Sequence, residues 1–173
     1  KWGDHCTIYR WAEQHLVPQR SAVLVHRLDR AATGLILLAH NKKAAKALSG
    51  LFLRREIDKR YHVIVHGQFP ESVWPQRIET ELDGKPAKSL AKFIAYDEKS
   101  DRSLLEVRIE TGRKHQIRRH LQSIDFKVVG DRQYGEADDK EDLQLAAVSL
   151  AFHCPLSDQA RDYQIPLEAR PQI

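Results

Sequence analysis

Two stretches of this chain alternate with a period of two, and that pattern limits the folds available to it. In Tyr61–His66, Tyr61, Val63 and Val65 fall on one side of an extended segment, and His62, Ile64 and His66 on the other. In Ser103–Ile109, Leu105, Val107 and Ile109 supply one buried face, and the polar turn 97–102 joins this segment to Leu90–Tyr96 as a hairpin. Half-buried strands of this kind need partners along their edges and a layer over their apolar face.

Helical spacing supplies that layer. Ile8, Trp11, Ala12, His15 and Leu16 recur at helical intervals over residues 7–16. Asn41 is a good N-cap, and Ala44, Ala45, Leu48, Leu51 and Phe52 form one stripe of the helix that follows. Ile117, Leu121 and Ile124 give a third, short helix its core stripe, with His115 and Arg118 three residues apart on another face. Short apolar strands are expected at Val23–Val25 and Leu35–Ala39, and later ones at Leu145–Phe152 and Asp162–Ile165. The segment 69–88, rich in Pro, Gly and charge, reads as an irregular connection with room for one short strand. Together these elements predict an α+β fold: a mixed, largely antiparallel sheet with flanking helices.

Length argues for a single domain over residues 1–173. With 42% hydrophobic and 30% charged residues the composition is that of an ordinary soluble globular protein. No apolar run approaches the roughly 18 residues that span a bilayer, so no membrane partner is expected, and no signal-peptide pattern is visible. The chain contains no Met, so it is expected to begin inside a longer polypeptide. Cys6 and Cys154 make neither a disulfide framework nor a metal-type spacing, which points to a reducing, cytoplasmic compartment.

The net charge of +4 does not announce a nucleic-acid binder, but its distribution is uneven. Between Lys42 and Arg60 stand seven basic residues (Lys42, Lys43, Lys46, Arg54, Arg55, Lys59 and Arg60) against Glu56 and Asp58. These face either water or a phosphate backbone. Arg113–His120 adds Arg113, Lys114, Arg118 and Arg119 with no acid among them, a density that repels itself unless an anion answers it.

Against this background His26-Arg27-Leu28-Asp29-Arg30, closing at Thr33-Gly34, stands out. A carboxylate flanked by guanidinium groups is ordinarily a surface ion pair. Here it precedes a strand-like run able to hold it rigidly, and a second motif, Thr111-Gly112-Arg113-Lys114-His115-Gln116-Ile117-Arg118, lies far downstream. Together with Lys59-Arg60-Tyr61-His62-Val63-Ile64-Val65-His66-Gly67 and Val129-Gly130-Asp131-Arg132-Gln133-Tyr134-Gly135, these blocks resemble the signature segments of the RluA-like pseudouridine synthases, in the right order over residues 24–152. The chain departs from the family pattern at Ala32-Thr33, where Thr-Ser is common, and at Leu143-Gln144-Leu145-Ala146-Ala147, where Ala146 replaces a His. Both positions read as supporting ones. The family's first strand pair, with its Lys-Pro-x-Gly segment, has no match before Lys1, so the catalytic domain is expected to lack its N-terminal strands.

The resemblance implies an isomerase that breaks the N1–C1′ bond of a uridine in structured rRNA or tRNA, turns the uracil and joins C5 to the sugar. Asp29 is then the catalytic carboxylate, suited to attack C1′ or the ring, or to remove a sugar proton. It is kept charged by a guanidinium, for which Arg118 is the candidate. Tyr61 is placed by the resemblance to stack on the extruded base or to take the C5 proton; without it, Tyr61 reads as a core tyrosine. Leu145 matches an apolar pocket residue. Arg27 is expected to point toward RNA, while Arg113, His115 and Gln116 either contact phosphate, position the Asp29 loop, or merely cap and cover the helix.

No cofactor is expected: the chain has no Walker loop, no GxGxxG and no plausible zinc set. His62 and His66 on a strand would stand roughly 13 Å apart, and His26 with Asp29 could share a metal only in a helical loop, so a metal-dependent phosphodiesterase is disfavoured. A second alternative is an RNA-binding module of the same fold without activity, prompted by Ala32 and Ala146. Monomer is the default oligomeric state.

Overall fold

The structure is a computed structural model and describes residues 7–173; Cys6 lies outside the described residues. Length alone predicts one domain; the fold divides into two compact units. One compact unit contains the described residues up to Arg27, Ile36–Ile57 and Phe152–Arg161; the other contains Leu28–Leu35, Asp58–Ala151 and Asp162–Ile173.

In the smaller unit, α1 (Ile8–His15) is followed by β1 (Val23–Leu24), which pairs antiparallel with β3 (Leu38–Ala39). The apolar run predicted as one strand over Leu35–Ala39 therefore contributes only its last two residues to this pair. α2 (Lys42–Arg54) starts where predicted: Asn41 Oδ1 accepts the Ala44 N–H at 2.8 Å. Its apolar stripe is shallower than its spacing implied, with Leu51 buried and Ala44, Ala45, Leu48 and Phe52 half-buried. α1 departs further. Ala12 is buried, but Ile8 and Trp11 are 45% and 56% exposed, and Trp11 stacks on His15 with ring centroids 4.6 Å apart. Helical spacing identifies a stripe but cannot say whether another element covers it.

The larger unit is built on a seven-stranded mixed sheet in the order β2-β8-β4-β7-β6-β5, with β9 (Gln159–Gln164) also on β8 (Leu145–Cys154). β4 (Asp58–His66), β5 (Gln76–Leu82), β6 (Lys85–Asp97), β7 (Arg102–Ile109) and β8 pair antiparallel; β2 (Thr33–Gly34) joins β8 in parallel. This is the expected α+β class. Alternate residues of the central strands, Tyr61, Val63 and Val65 on β4 and Leu105, Val107 and Ile109 on β7, form one core with Ile117 and Leu121 of α3 (Gln116–Gln122). Leu105 and Leu121 have no exposed surface, and burial of each leucine contributes roughly 1.5–3 kcal/mol.

The segment 69–88 is the largest difference from expectation. It holds β5 and the start of β6, a hairpin closed by Asp83-Gly84 with φ of 55° and 70°. Both turn residues in the left-handed region make the two-residue connection that suits strand twist, and Asp-Gly is among the dipeptides that adopt it most readily. The surrounding Pro and charged residues masked that signal.

Candidate functional site

Asp29 sits in the loop entering β2. Its carbonyl accepts the Ala32 N–H at 3.0 Å, and the flanking side chains Leu28 and Ala32 pack on the main core, so both ends of the loop are anchored. The next residues are locked to β8 by the pairs Thr33↔Ala146 and Gly34↔Ala147, and by the Leu35 N–H donating to the Ala147 carbonyl at 2.9 Å. Gly34 has a φ of +100°, and a Cβ there would lie 2.2 Å from the Ala147 oxygen. Only glycine lets the loop come this close to the sheet. The Asp29 side chain, 17% exposed, is left at the surface of the core.

Arg118 reaches it from α3: Nη1 lies 3.7 Å from Asp29 Oδ2. That is a charge contact rather than a hydrogen bond. The guanidinium's fork is spent on Asp131, with Nε and Nη2 donating to the two carboxylate oxygens at 2.6 Å each. The Asp131 side chain is completely buried, and it also accepts the N–H groups of Gln133 and Tyr134 at 2.9 and 3.0 Å. Burial alone would raise the pKa of Asp131; the fork and the two backbone donors outweigh it and hold the carboxyl below its ordinary value. The same hydrogen bonds push the Arg118 pKa up. The Tyr134 ring lies against the guanidinium, with the Arg118 carbon 5.0 Å from its centroid, and the Tyr134 hydroxyl shares a 3.1 Å hydrogen bond with His115 Nδ1. Arg118 is thus clamped by Asp131 and Tyr134, and its remaining nitrogen is directed to Asp29.

Tyr61 lies on the core face of β4 and is 8% exposed. Its pKa is pushed up to about 12, first by burial and then by the negative charge of Asp29, so it is a neutral phenol at physiological pH. A bulge in the β4–β8 pairing falls immediately before it: Arg60 faces Ser149 while Tyr61 faces Ala147, leaving Val148 as the extra residue. Bulges bend a strand and re-aim the neighbouring side chain. The sequence-predicted trio Asp29, Tyr61 and Arg118 is therefore brought together on one face of one sheet.

The other candidates divide. His115 opens α3 in the left-handed region, with φ of 52°, which places it outside the helix on which it was expected to share a face with Arg118. Burial lowers its pKa, and Arg118 adds to this while Asp29 opposes it, which favours the neutral imidazole. Gln116 is 3% exposed and turned inward. Its carbonyl accepts the Thr111 hydroxyl and the Arg113 N–H, and its amide donates to the Lys88 carbonyl and Ser89 Oγ. All of its polar capacity holds the 111–115 loop to the sheet. Arg113 Nε donates to the Pro86 carbonyl at 3.2 Å, while part of its side chain stays accessible. Leu145, paired with Val63, packs in the core with Tyr61. With Ala31 and Thr33 of the Asp29 loop, it also lines a cleft of about 440 Å³ whose wall includes Gln144 and Arg170. Arg27 is exposed and belongs to the smaller unit.

His26 has a local job. Its Nε2 accepts the Leu37 N–H at 2.8 Å, and its ring stacks on Phe52 with centroids 4.4 Å apart. Sequence reasoning missed two partners, Asp131 and Tyr134, although both lie in the Val129–Gly135 block. Their signal was an acid and an aromatic three residues apart, directly after a glycine turn.

An α+β fold of this kind, a mixed and largely antiparallel sheet with flanking helices, is that of a pseudouridylate synthase domain. A solved human protein, RNA pseudouridylate synthase domain containing 1, superposes with a TM-score of 0.73 at 24% identity, over 84% of this chain and 69% of that one. A family profile described as RNA pseudouridylate synthase matches residues 5–123. An uncharacterized RNA pseudouridine synthase of Helicobacter pylori is 36% identical over 143 residues, 73% of this chain and 49% of the relative. The dual-specificity RNA pseudouridine synthase RluA of Vibrio parahaemolyticus is 33% identical over 168 residues, 86% of this chain and 67% of the relative. The chain belongs to the RNA pseudouridine synthase family, in its RluA-like branch. It spans between about half and two thirds of the length of these two relatives.

Proposed function

We propose that this protein converts a specific uridine of structured rRNA or tRNA to pseudouridine, with Asp29 as the catalytic carboxylate. The observation that carries this reading is the 3.7 Å approach of Arg118 to Asp29 beside the buried phenol of Tyr61. A carboxylate backed by a guanidinium can attack the nucleoside and leave again, and the reaction needs no redox partner or group donor. A uridine must leave its stack to reach Asp29, which costs a few kcal/mol, and the ring of Tyr61 offers a replacement surface. Arg118 orients Asp29 by charge, while Leu145 supports the apolar side of the site. Arg113 and His115 hold the RNA strand around the extruded nucleotide, Gln116 fixes the loop that carries both, and Arg27 makes a separate contact to RNA. The protein acts in the cytoplasm, as a monomer and without a cofactor.

The test is to incubate the full chain with unmodified transcripts of ribosomal and transfer RNA and map pseudouridine by sequencing. Formation at one defined site is expected, with Asp29→Ala and Asp29→Asn each lowering the rate at least ~10³-fold while RNA affinity is largely kept. RNA binding without isomerisation, unaltered by Asp29→Ala, identifies an inactive binding module instead.

A further inference from the structure

Asp131 and Tyr134, which clamp Arg118, sit in a loop without helix or strand that leaves at Gly130 and returns at Asp142. Its two ends touch: Gly130 has a φ of +74°, and a Cβ there would lie 2.2 Å from the Asp142 carbonyl oxygen. The outgoing end is tied to β4, where the Val129 N–H donates to the Ile64 carbonyl at 3.0 Å. The returning arm has little of its own. Among the described residues, the one main-chain bond within 136–142 is a 3.4 Å contact from the Asp139 N–H to the Glu136 carbonyl. Side chains hold the arm instead. Asp139 Oδ2 accepts the Gly130 N–H at 2.8 Å and lies 3.0 Å from Nε2 of His66, the last residue of β4. The Asp139 side chain is 9% exposed; burial would raise its pKa, but the bonds from His66 and Gly130 outweigh it and hold the carboxyl below its ordinary value. An ionised carboxylate only accepts, so His66 Nε2 carries the proton of this bond. Glu141 adds an ion pair at 2.8 Å to Arg102 of β7, the residue directly across from His66. A single peptide joins Gly130 to Asp131, so the grip on the Gly130 N–H passes directly to the acid that holds Arg118.

We propose that His66 and Asp139 are positioning residues for the reaction at Asp29: their hydrogen bond latches the returning arm to β4, fixes the peptide before Asp131 and so sets the aim of Arg118. The effect on turnover rests on the isomerase reading; the latch itself does not. Arg118 meets Asp29 by a single charge contact at 3.7 Å, with no hydrogen bond between them to correct a shift. A displacement of about 1 Å at such a contact is enough to cost up to about 10²-fold in rate. Neither His66 nor Asp139 meets the nucleotide in that reading, so both act on rate and leave affinity for RNA alone.

The experiment follows hydrogen exchange of the Arg118 Nε–H in the 15N-labelled full chain by NMR, with the resonance assigned by its loss in Arg118→Lys, and measures turnover on unmodified transcripts beside it. Asp139→Ala is expected to speed that exchange several-fold with the Val63 and Leu105 amides unchanged, and to lower kcat roughly 10-fold at constant KM. His66→Ala should change both readouts less and in the same direction, and it carries the test if Asp139→Ala does not fold. His66→Gln, whose amide can donate the same bond, should restore wild-type behaviour. Wild-type exchange at Arg118 in Asp139→Ala or His66→Ala overturns the proposal, as does equal acceleration at the core amides, or a loss in His66→Ala that His66→Gln fails to rescue. A wild type that forms no pseudouridine while the variants still show the exchange change sinks the isomerase reading and leaves the latch standing.

Discussion

Arg118 gives both prongs of its guanidinium fork to Asp131 and reserves for Asp29 a single charge contact at 3.7 Å. The strong pair is therefore structural, and in the proposed reaction the weak pair is the one that meets the substrate. An acid held only by charge stays able to attack, whereas one gripped by two hydrogen bonds would have its lone pairs occupied.

Removing Asp131 should be costly. Asp131→Ala leaves the Arg118 guanidinium buried without its partner, and breaking a buried pair in this way costs about 3–5 kcal/mol. Urea denaturation of the variant checks the loss. Arg118→Lys keeps the charge but not the fork, so turnover is expected to fall roughly 10²-fold with the fold intact.

The same carboxyl sets an acid limit. Its folded pKa lies below the unfolded value of about 3.9, so its contribution to stability is fully present above that value. It is lost as pH falls from there through the folded pKa, because the unfolded chain takes up the proton first. Stability measured from pH 6 down to pH 2 should decline less steeply in Asp131→Asn than in wild type, once each is scaled to its own value at pH 6.

At the alkaline end Tyr61 acts with the opposite sign. Its folded pKa of about 12 exceeds the unfolded value of about 10, so folding favours the protonated phenol. Its stabilising contribution is present below pH 10 and drains away between pH 10 and 12 by up to about 1.4 kcal/mol per pH unit. Tyr61→Phe should flatten that decline and remove one late-ionising group from the absorbance titration at high pH.

Gly34 tests the loop. Gly34→Ala forces a Cβ into the Ala147 carbonyl at a φ of +100°, and a loss of at least about 2 kcal/mol is expected. The stability deficit is read by thermal melting. Restoring native stability with an osmolyte should not restore turnover, since the loop carrying Asp29 no longer docks on β8.

Local pattern was legible wherever it decided the outcome. The alternation at Tyr61–Val65 and Leu105–Ile109, the Asn41 cap and the Ile117–Leu121 stripe all appear where their spacing placed them. Signals diluted by their surroundings failed. Asp83-Gly84 marked a hairpin that the flanking charges obscured, and the helical spacing over residues 7–16 held no sign that Trp11 would stay largely exposed. Asp131 was visible only as part of a turn.

The residues alone determined which segments extend, which coil, and which side chains carry charge, because propensity, periodicity and turn chemistry act over a few positions. A resemblance carried by four short blocks nominated Asp29, Tyr61 and Arg118 as candidates for one site. Only the tertiary structure decided that Arg118 is shared between two carboxylates and that the Asp29 loop is pinned through Gly34 to β8. Those relationships join residues far apart in the chain, and their distances come from sheet order and register, which no local rule contains.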